Sequence, residues 1–392
     1  MKYLVAASLA LFTACKESPT RIEVHAGAPP RTIRPQTVVL MVTPKIIKDF
    51  ANPSASVAAL FDRYAPFTAH AKETIVVFAV ANSDHIIMYR GTSYWSDAID
   101  WANLTDFVKS DDRILTIARV AGIVQAFKAR ADSLGLKVKI YDQIDSGTEF
   151  SVNIWKQIRH TECMDPKLYS FDIRGVLTAD AYTYATAPNG TTAGTLCGTF
   201  LVDQAARYMS DLGFDGVLYG NQLGTRGRWV PTNGPGYSAA EAAAILDFFT
   251  YSRAKYGSRD LMWFDSYNNT SLERSVWSVP GEAYAKMSYI LAAGFAVVTF
   301  PARYLDDLAS KLAIPERPPV LASLDYYYDP WYDYSKLPIF PEESVMLEQA
   351  AINNRDRIDG IFLFANNHVG DLVPRSIIES FAQRFFVDGV DP

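Results

Sequence analysis

Short apolar runs alternate with longer amphipathic segments over most of the chain. Eight of these runs are rich in β-branched and aromatic residues and too short for helices, which predicts strands. The predicted strands are Thr37–Val42, Thr74–Val80, Val138–Tyr141, Val217–Tyr219, Leu261–Phe264, Ala296–Phe300, Val320–Leu324 and Ile361–Phe364.

The segments between these strands carry apolar residues at helical spacing. The clearest is Arg113–Leu134, which ends at Gly135, a residue suited to a helix C-terminus. The other predicted helices are Ser56–Tyr64, Phe200–Asp211 and residues 238–256, 281–292, 302–312, 341–353 and 374–386.

Eight strands, each followed by a helix or an excursion, predict an α/β fold of the TIM barrel type, (β/α)8. A doubly wound open sheet is the rival arrangement, but no Gly-x-Gly-x-x-Gly sequence follows the first strand. A long insertion separates the third and fourth strands, and its span Ala179–Gly198 has the composition of a long loop.

Polar side chains collect after the strands rather than before them. The stretch Leu212–Trp229 contains a helix end at Gly213, an Asp215-Gly216 turn, a short strand and then a polar, Gly-rich loop. Asp359-Gly360 opens the last strand in the same way. Since chemistry in α/β folds concentrates in the loops after strands, this asymmetry predicts a functional site at the C-terminal ends of the strands.

Composition narrows the function classes. The chain has 392 residues, 49% of them hydrophobic and 20% charged, with a net charge of -6 and a pI near 5.5. The acidic balance and the scattered arginines argue against a nucleic-acid partner, which requires clustered basic residues. Aromatic residues are frequent at 13%, as in sugar-binding clefts, although a Tyr-rich core explains most of them.

The N-terminus predicts export and a lipid anchor. Residues 1–15 contain a basic start, a short apolar run and Leu11-Phe12-Thr13-Ala14-Cys15, which resembles a bacterial lipobox with Cys15 as the lipidated residue. The alternative is an ordinary secretion signal with an incidental cysteine. Residues 16–36 are predicted to be a flexible tether, and residues 37–392 a single barrel domain on the outer membrane or cell surface.

The other two cysteines, Cys163 and Cys197, flank the insertion. In an exported protein they could form a disulfide, and two separate buried thiols are an equally good interpretation.

The candidate catalytic residues are aspartates. Asp142, Asp265 and Asp325 each follow an apolar strand. Glycoside hydrolysis needs one carboxylic acid to protonate the leaving oxygen and a second carboxylate as nucleophile or base. Helix N-capping is the alternative role for each aspartate taken alone. No His-rich metal motif, serine nucleophile elbow or phosphate loop is present in the sequence, so no metal or cofactor is expected.

The sequence around the fourth and fifth strands resembles that of endo-β-N-acetylglucosaminidases. Phe214–Gln222 followed by Leu261–Ser266 is similar to glycoside hydrolase family 85 and, more loosely, to family 18. The resemblance covers about sixty residues and implies a TIM barrel in which the substrate's acetamido group acts as nucleophile. These families place a catalytic Glu where Gln222 stands here, and the acetamide-orienting Asn of family 85 would fall on Gly220. Because glutamine cannot donate a proton as a general acid, either the alignment is wrong and the acids lie elsewhere, or the barrel has lost this chemistry.

Three hypotheses follow. The first is a glycoside hydrolase that acts on an oligo- or polysaccharide with Asp265 and Asp325, or Asp142 with one of them. The second is a lipid-anchored barrel that binds glycan without cleaving it, and the third is a structural envelope protein, which leaves the polar strand ends unexplained. The residues predicted to bind sugar are Tyr219, Asn221, Gln222, Trp95, Trp229, Tyr267, Asn268, Tyr326, Asn366 and Asn367.

Overall fold

The fold is a closed barrel of eight parallel strands, which confirms the predicted TIM barrel. The structure is a computed structural model that describes residues 36–81, 86–88, 114–144, 163–165, 170–178, 193–219, 223–224, 239–263, 281–292, 301–324, 340–365 and 372–388.

Thirteen strands are numbered in chain order within these ranges. They are β1 Gln36–Val42, β2 Ala71–Ala81, β3 Ile86–Met88, β4 Ile114–Thr116, β5 Val138–Ile144, β6 Met164–Asp165, β7 Ser170–Asp172, β8 Gly216–Tyr219, β9 Leu223–Gly224, β10 Asp260–Trp263, β11 Tyr289–Ala292, β12 Val320–Leu324 and β13 Gly360–Phe364. The barrel runs β1-β2-β5-β8-β10-β11-β12-β13 and closes where β13 pairs with β1. The pair β3-β4 and the small sheet β6-β7-β9 lie outside it.

Helices follow the barrel strands in the described ranges. They are α1 Ser54–Thr68, α2 Ile117–Ser133, α3 Cys197–Leu212, α4 Ala239–Tyr256, α5 Gly281–Tyr284, α6 Pro301–Leu312, α7 Phe340–Asn353 and α8 Arg375–Ala382. A 3-10 turn, Pro44–Ile46, follows β1, and a π-helical turn, Gln383–Val387, extends α8. The helix predicted from Arg113 begins instead at Ile117, because Ile114–Thr116 pairs with β3.

The sixth barrel strand differs from the prediction. Residues 281–292 were expected to form a helix and Ala296–Phe300 the strand. The structure places only a short helix, α5, in the first segment and forms strand β11 from Tyr289–Ala292, while Ala296–Phe300 lies outside the described residues. The strand forms here because Met262 and Trp263 pair with it on one side and Val320 to Ala322 on the other. Tertiary pairing overrides the local helical pattern.

Barrel strands are apolar on both faces because each face packs on a separate core. One core fills the barrel interior with residues such as Val39, Tyr141, Met262, Leu321 and Phe362. The alternate residues of the same strands face the surrounding helices in a second, larger core. This two-sided burial explains the continuous apolar runs in the sequence.

Strand β8 begins with an Asp-Gly pair that joins three neighbouring strands. Asp215 Oδ2 accepts the backbone N–H of Ile140 at 2.9 Å, and Lys128 Nζ lies 3.2 Å from Oδ1. The Asp215 carbonyl accepts the N–H of Asp260 in the next strand at 3.1 Å. A Cβ on Gly216 would lie 2.7 Å from the Asp260 carbonyl oxygen, so only glycine fits there.

Strand β13 begins with the same device. Asp359 Oδ2 accepts the N–H of Val320 at 2.9 Å and pairs with Arg317 Nη1 at 2.9 Å. The Asp359 carbonyl accepts the N–H of Thr37 at 2.9 Å. A Cβ on Gly360 would overlap the Thr37 carbonyl oxygen. The repeated Asp-Gly sequence therefore locks the starts of adjacent strands, at the end of the barrel away from the predicted site.

Candidate functional site at the C-terminal mouth

All eight barrel strands point their C-terminal ends to one mouth. Strands β10 and β12 are separated by a single strand, β11, in the closed ring. Asp325 is the residue after Leu324, where β12 ends, and Asp265 comes two residues after Trp263, where β10 ends. Both aspartates lie outside the described residues, so their role at this face stays a prediction from the sequence.

Asp142 is not at a strand end. Strand β5 continues to Ile144, because Asp142 pairs with Phe78 of β2 on one side and Val217 of β8 on the other. Asp142 is 1% exposed and alternates with Tyr141, which faces the barrel interior. Its side chain therefore points toward the helix layer, as those of Ile140 and Ile144 do. The prediction that Asp142 is a catalytic acid at the mouth is wrong.

Tyr219 is a core residue rather than a sugar ligand. It is fully buried, and its hydroxyl contacts that of Tyr256 on α4. Its ring packs edge-on against Phe248, with centroids 5.1 Å apart. Burial raises the pKa of Tyr219. The side chain points outward from β8, so the prediction that Tyr219 binds substrate is wrong.

The other predicted contact residues lie outside the described residues. They are Trp95, Asn221, Gln222, Trp229, Tyr267, Asn268, Tyr326, Asn366 and Asn367, together with Cys15 of the lipobox.

Two inward-facing polar residues were not found from the sequence. Gln143 on β5 and Ser323 on β12 follow the interior residues Tyr141 and Leu321 by two positions, so they face the barrel interior near the mouth. Gln143 is 7% exposed and Ser323 is fully buried. In the described part of the chain, neither the Gln143 amide oxygen nor the Ser323 hydroxyl has a hydrogen-bond partner. Ser323 lies within an apolar strand and Gln143 is next to Asp142, so the sequence alone distinguishes neither as an inward-facing residue.

The opposite end of the barrel interior is closed by a charged network. Lys139 Nζ lies 2.6 Å from Asp260 Oδ2 and 3.4 Å from Glu73 Oε2. The hydroxyl of Tyr289 donates to Glu73 Oε2 at 2.8 Å, and that of Tyr141 donates to Asp260 Oδ2. These groups belong to four different strands, so the network plugs the N-terminal end of the barrel.

The charged network shifts the pKa values of Glu73 and Lys139. Burial opposes charge on Glu73, but hydrogen bonds from Lys137 and Tyr289 and the nearby lysine charges outweigh it and lower the pKa of Glu73 below its ordinary 4.5. Burial likewise opposes charge on Lys139, but the carboxylates of Asp260 and Glu73 raise its pKa. Active sites of TIM barrels lie at the opposite, C-terminal end, so we assign the network a structural role.

A disulfide fixes part of the insertion at the mouth. Cys163 and Cys197 are bonded, with Cα atoms 5.5 Å apart, and both are fully buried. Cys197 begins α3, the helix that leads down to β8. On the other side, β7 pairs with β9, which follows β8 directly. The insertion is thus attached both to the start of α3 and to the segment beyond β8.

Neither a metal cluster nor a membrane span is found in the described ranges. Those residues contain no group of three or more His, Cys, Asp and Glu side chains arranged to hold a metal ion. Their helices also include none that is long and apolar enough to cross a membrane.

No family model and no curated protein matches the chain. Several solved structures are similar to it. A chitinase from Bacteroides thetaiotaomicron shares 10% identity over 92% of this chain and 99% of its own, with a TM-score of 0.43. An alpha-amylase from Geobacillus thermoleovorans, complexed with acarbose, shares 11% over 91% and 78%, also with a TM-score of 0.43.

A class V chitinase from Nicotiana tobaccum shares 10% identity over 89% of this chain and 98% of its own, with a TM-score of 0.42. These structures are glycosidases by their names, and at such identities the likeness does not extend to individual residues.

Proposed function

We propose that the protein is a glycoside hydrolase that cleaves an oligo- or polysaccharide at the C-terminal mouth of the barrel. The observation that carries the proposal is the position of β10 and β12, two strands of one closed ring that end at the same face with a single strand between them. Asp265 and Asp325 follow these strands in the sequence. Asp142 is excluded from the pair because its side chain is buried toward the helices.

The pair would divide the work of hydrolysis. One aspartic acid protonates the glycosidic oxygen as the bond breaks, and the other attacks the anomeric carbon or activates water. Two carboxyl groups close together cannot both ionise freely, which raises the pKa of one and keeps it protonated near neutral pH.

Substitution of each acid tests this assignment. We expect Asp265→Asn and Asp325→Asn each to lower the release of reducing ends from chitotetraose, maltotetraose or another member of an oligosaccharide panel by at least about 10³-fold. The control is Asp142→Asn, measured at a temperature where the variant is folded, which should retain activity. Full activity in either mouth variant, or loss only in Asp142→Asn, would refute the assignment.

The second candidate function is glycan binding without cleavage. It is favoured by the orientation of Asp142, which removes one of the three predicted acids, and by Gln222 in the place where the families that the sequence resembles have a glutamate. A glycan array separates the two functions. Retention of a glycan without release of reducing ends, unchanged in Asp265→Asn, would identify a binding protein.

We also infer export and anchoring through a lipid on Cys15. The lipobox-like sequence supports the anchor, and the Cys163–Cys197 disulfide supports an oxidising compartment outside the cytoplasm. Metabolic labelling with palmitate tests the anchor. Label should appear in the full chain and be absent from Cys15→Ala, and equal labelling of both would refute lipidation at this residue.

A further inference from the structure

The buried polar groups of Gln143 and Ser323 lie in one layer of the barrel interior. In the strand pairings, Met41 is opposite Val77, and Val77 is opposite Tyr141. The strands of an eight-stranded barrel are tilted, so residues at the same height along the barrel axis are shifted by one position from each strand to the next. The inward-facing residues at one height therefore come from alternate strands and form one layer. Among the described residues, Met41, Gln143 and Ser323 face inward at that height.

This layer lies toward the C-terminal end of the barrel interior. Val39, Tyr141 and Leu321, the interior residues one level further down the same strands, are completely buried. Met41 is partly exposed, although it belongs to the same strand as Val39. We call this layer the floor of the mouth; Gln143 and Ser323 lie on strands that are four apart in the ring of eight and face each other.

The polar groups of this floor lower the stability of the folded protein unless a ligand or water hydrogen-bonds to them. A buried oxygen without a hydrogen bond lowers stability, and proteins keep such groups mainly where a ligand or water completes them. The interior residues of the layers below, down to the charged network, are apolar. Leucine and alanine would therefore pack at positions 143 and 323 as well as Gln143 and Ser323 do.

We propose that Gln143 and Ser323 are specificity-determining residues that hold adjacent hydroxyl groups of a sugar ring in the mouth. An amide oxygen accepts hydrogen bonds, and a serine hydroxyl accepts and donates, which matches a neutral polyol. A ligand anion would need a cationic group beside it, and the described residues of the layer include none. The inference rests on the proposed function for the identity of the substrate class, and it adds two residues that position the sugar without taking part in proton transfer.

Two apolar variants test the floor. Gln143→Leu and Ser323→Ala remove the unpartnered oxygens and leave apolar side chains in their place. We expect each to raise the melting temperature, by about 2 °C, and to weaken binding of chitotetraose or maltotetraose by about tenfold in calorimetry. The matched control is Ser252→Ala, since Ser252 is equally buried but donates to the Phe248 carbonyl at 2.8 Å. This control should lower the melting temperature and leave sugar binding unchanged.

The outcomes separate the floor from the proposed catalysis. Weaker sugar binding in both floor variants supports the floor even if no cleavage occurs in the parent protein. Cleavage with an unchanged KM in both variants overturns the floor and leaves the hydrolase intact. A melting temperature lowered as far as in Ser252→Ala overturns it as well, because the oxygens would then have partners within the protein. Binding of neither sugar by the parent protein also overturns it.

Discussion

Removal of the Cys163–Cys197 disulfide should weaken the whole fold by a calculable amount. The bond spans a sequence separation of 34 residues. In the chain-entropy model, closing a loop of this length removes about 13 cal/mol/K from the unfolded chain, or about 4 kcal/mol at 25 °C. Because both cysteines are buried at one end of α3, the native chain gains little freedom in exchange. We therefore expect Cys163→Ala with Cys197→Ala to lose about 3–4 kcal/mol of unfolding free energy.

Guanidinium denaturation followed by circular dichroism measures this loss, with the parent protein treated with reductant as a second route to the same state. Cys15→Ala is the matched control, because it removes the remaining cysteine of the chain and leaves the disulfide in place. It should not move the midpoint. A double variant within about 0.5 kcal/mol of the parent would contradict the loop-closure reasoning. A biphasic transition would show instead that the insertion unfolds separately from the barrel.

Four further predictions concern the barrel. Gly360→Ala should lower the free energy of unfolding by more than about 3 kcal/mol, because its Cβ would overlap a backbone oxygen. Gly122→Ala, in open space on α2, should raise the free energy of unfolding by about 0.5–1 kcal/mol. Thermal denaturation compares the two variants, and equal effects would refute the close approach at Gly360. Lys139→Met should cost about 3 kcal/mol by leaving two buried carboxylates short of a partner. The lowered pKa of Glu73 stabilises the fold at pH values above the pKa of this group in the unfolded chain, and this stability is lost as the pH falls through the pKa in the folded protein. The urea midpoint of the parent should therefore drop below about pH 4, and that of Glu73→Gln should drop less. Parallel pH profiles of the two proteins would refute this linkage. Tyr219→Phe should lose about 1 kcal/mol with unchanged sugar binding, and a large loss of binding would restore its predicted role at the mouth.

Strand order and closure could be predicted from the sequence because they depend on local apolar runs and short connections. Seven of the eight predicted barrel strands coincide with observed strands to within three residues at either end. The sixth strand was misplaced because Tyr289–Ala292 is short and continues a helical spacing. Only its two partners, which are distant in the sequence, make it a strand.

The candidate site was less predictable because strand residues alternate between two buried faces. Asp142 and Tyr219 point to the helices, whereas Gln143 and Leu218, each one position away, point to the interior. A strand that is apolar on both faces does not show from its sequence which residues face the barrel interior and which face the helices. An error of one residue therefore assigns every side chain of the strand to the wrong face. The charged network could not be found either, because its members come from four separate strands.

The two Asp-Gly pairs, Asp215-Gly216 and Asp359-Gly360, are related by the symmetry of the barrel. They begin strands β8 and β13, which are four apart in a ring of eight, so half a turn about the barrel axis exchanges them. The same rotation carries Ile140 onto Val320 and Asp260 onto Thr37, the partners that each pair contacts. The two halves of the barrel therefore share the same carboxylate contact, the same carbonyl contact and the same glycine position at the starts of these strands.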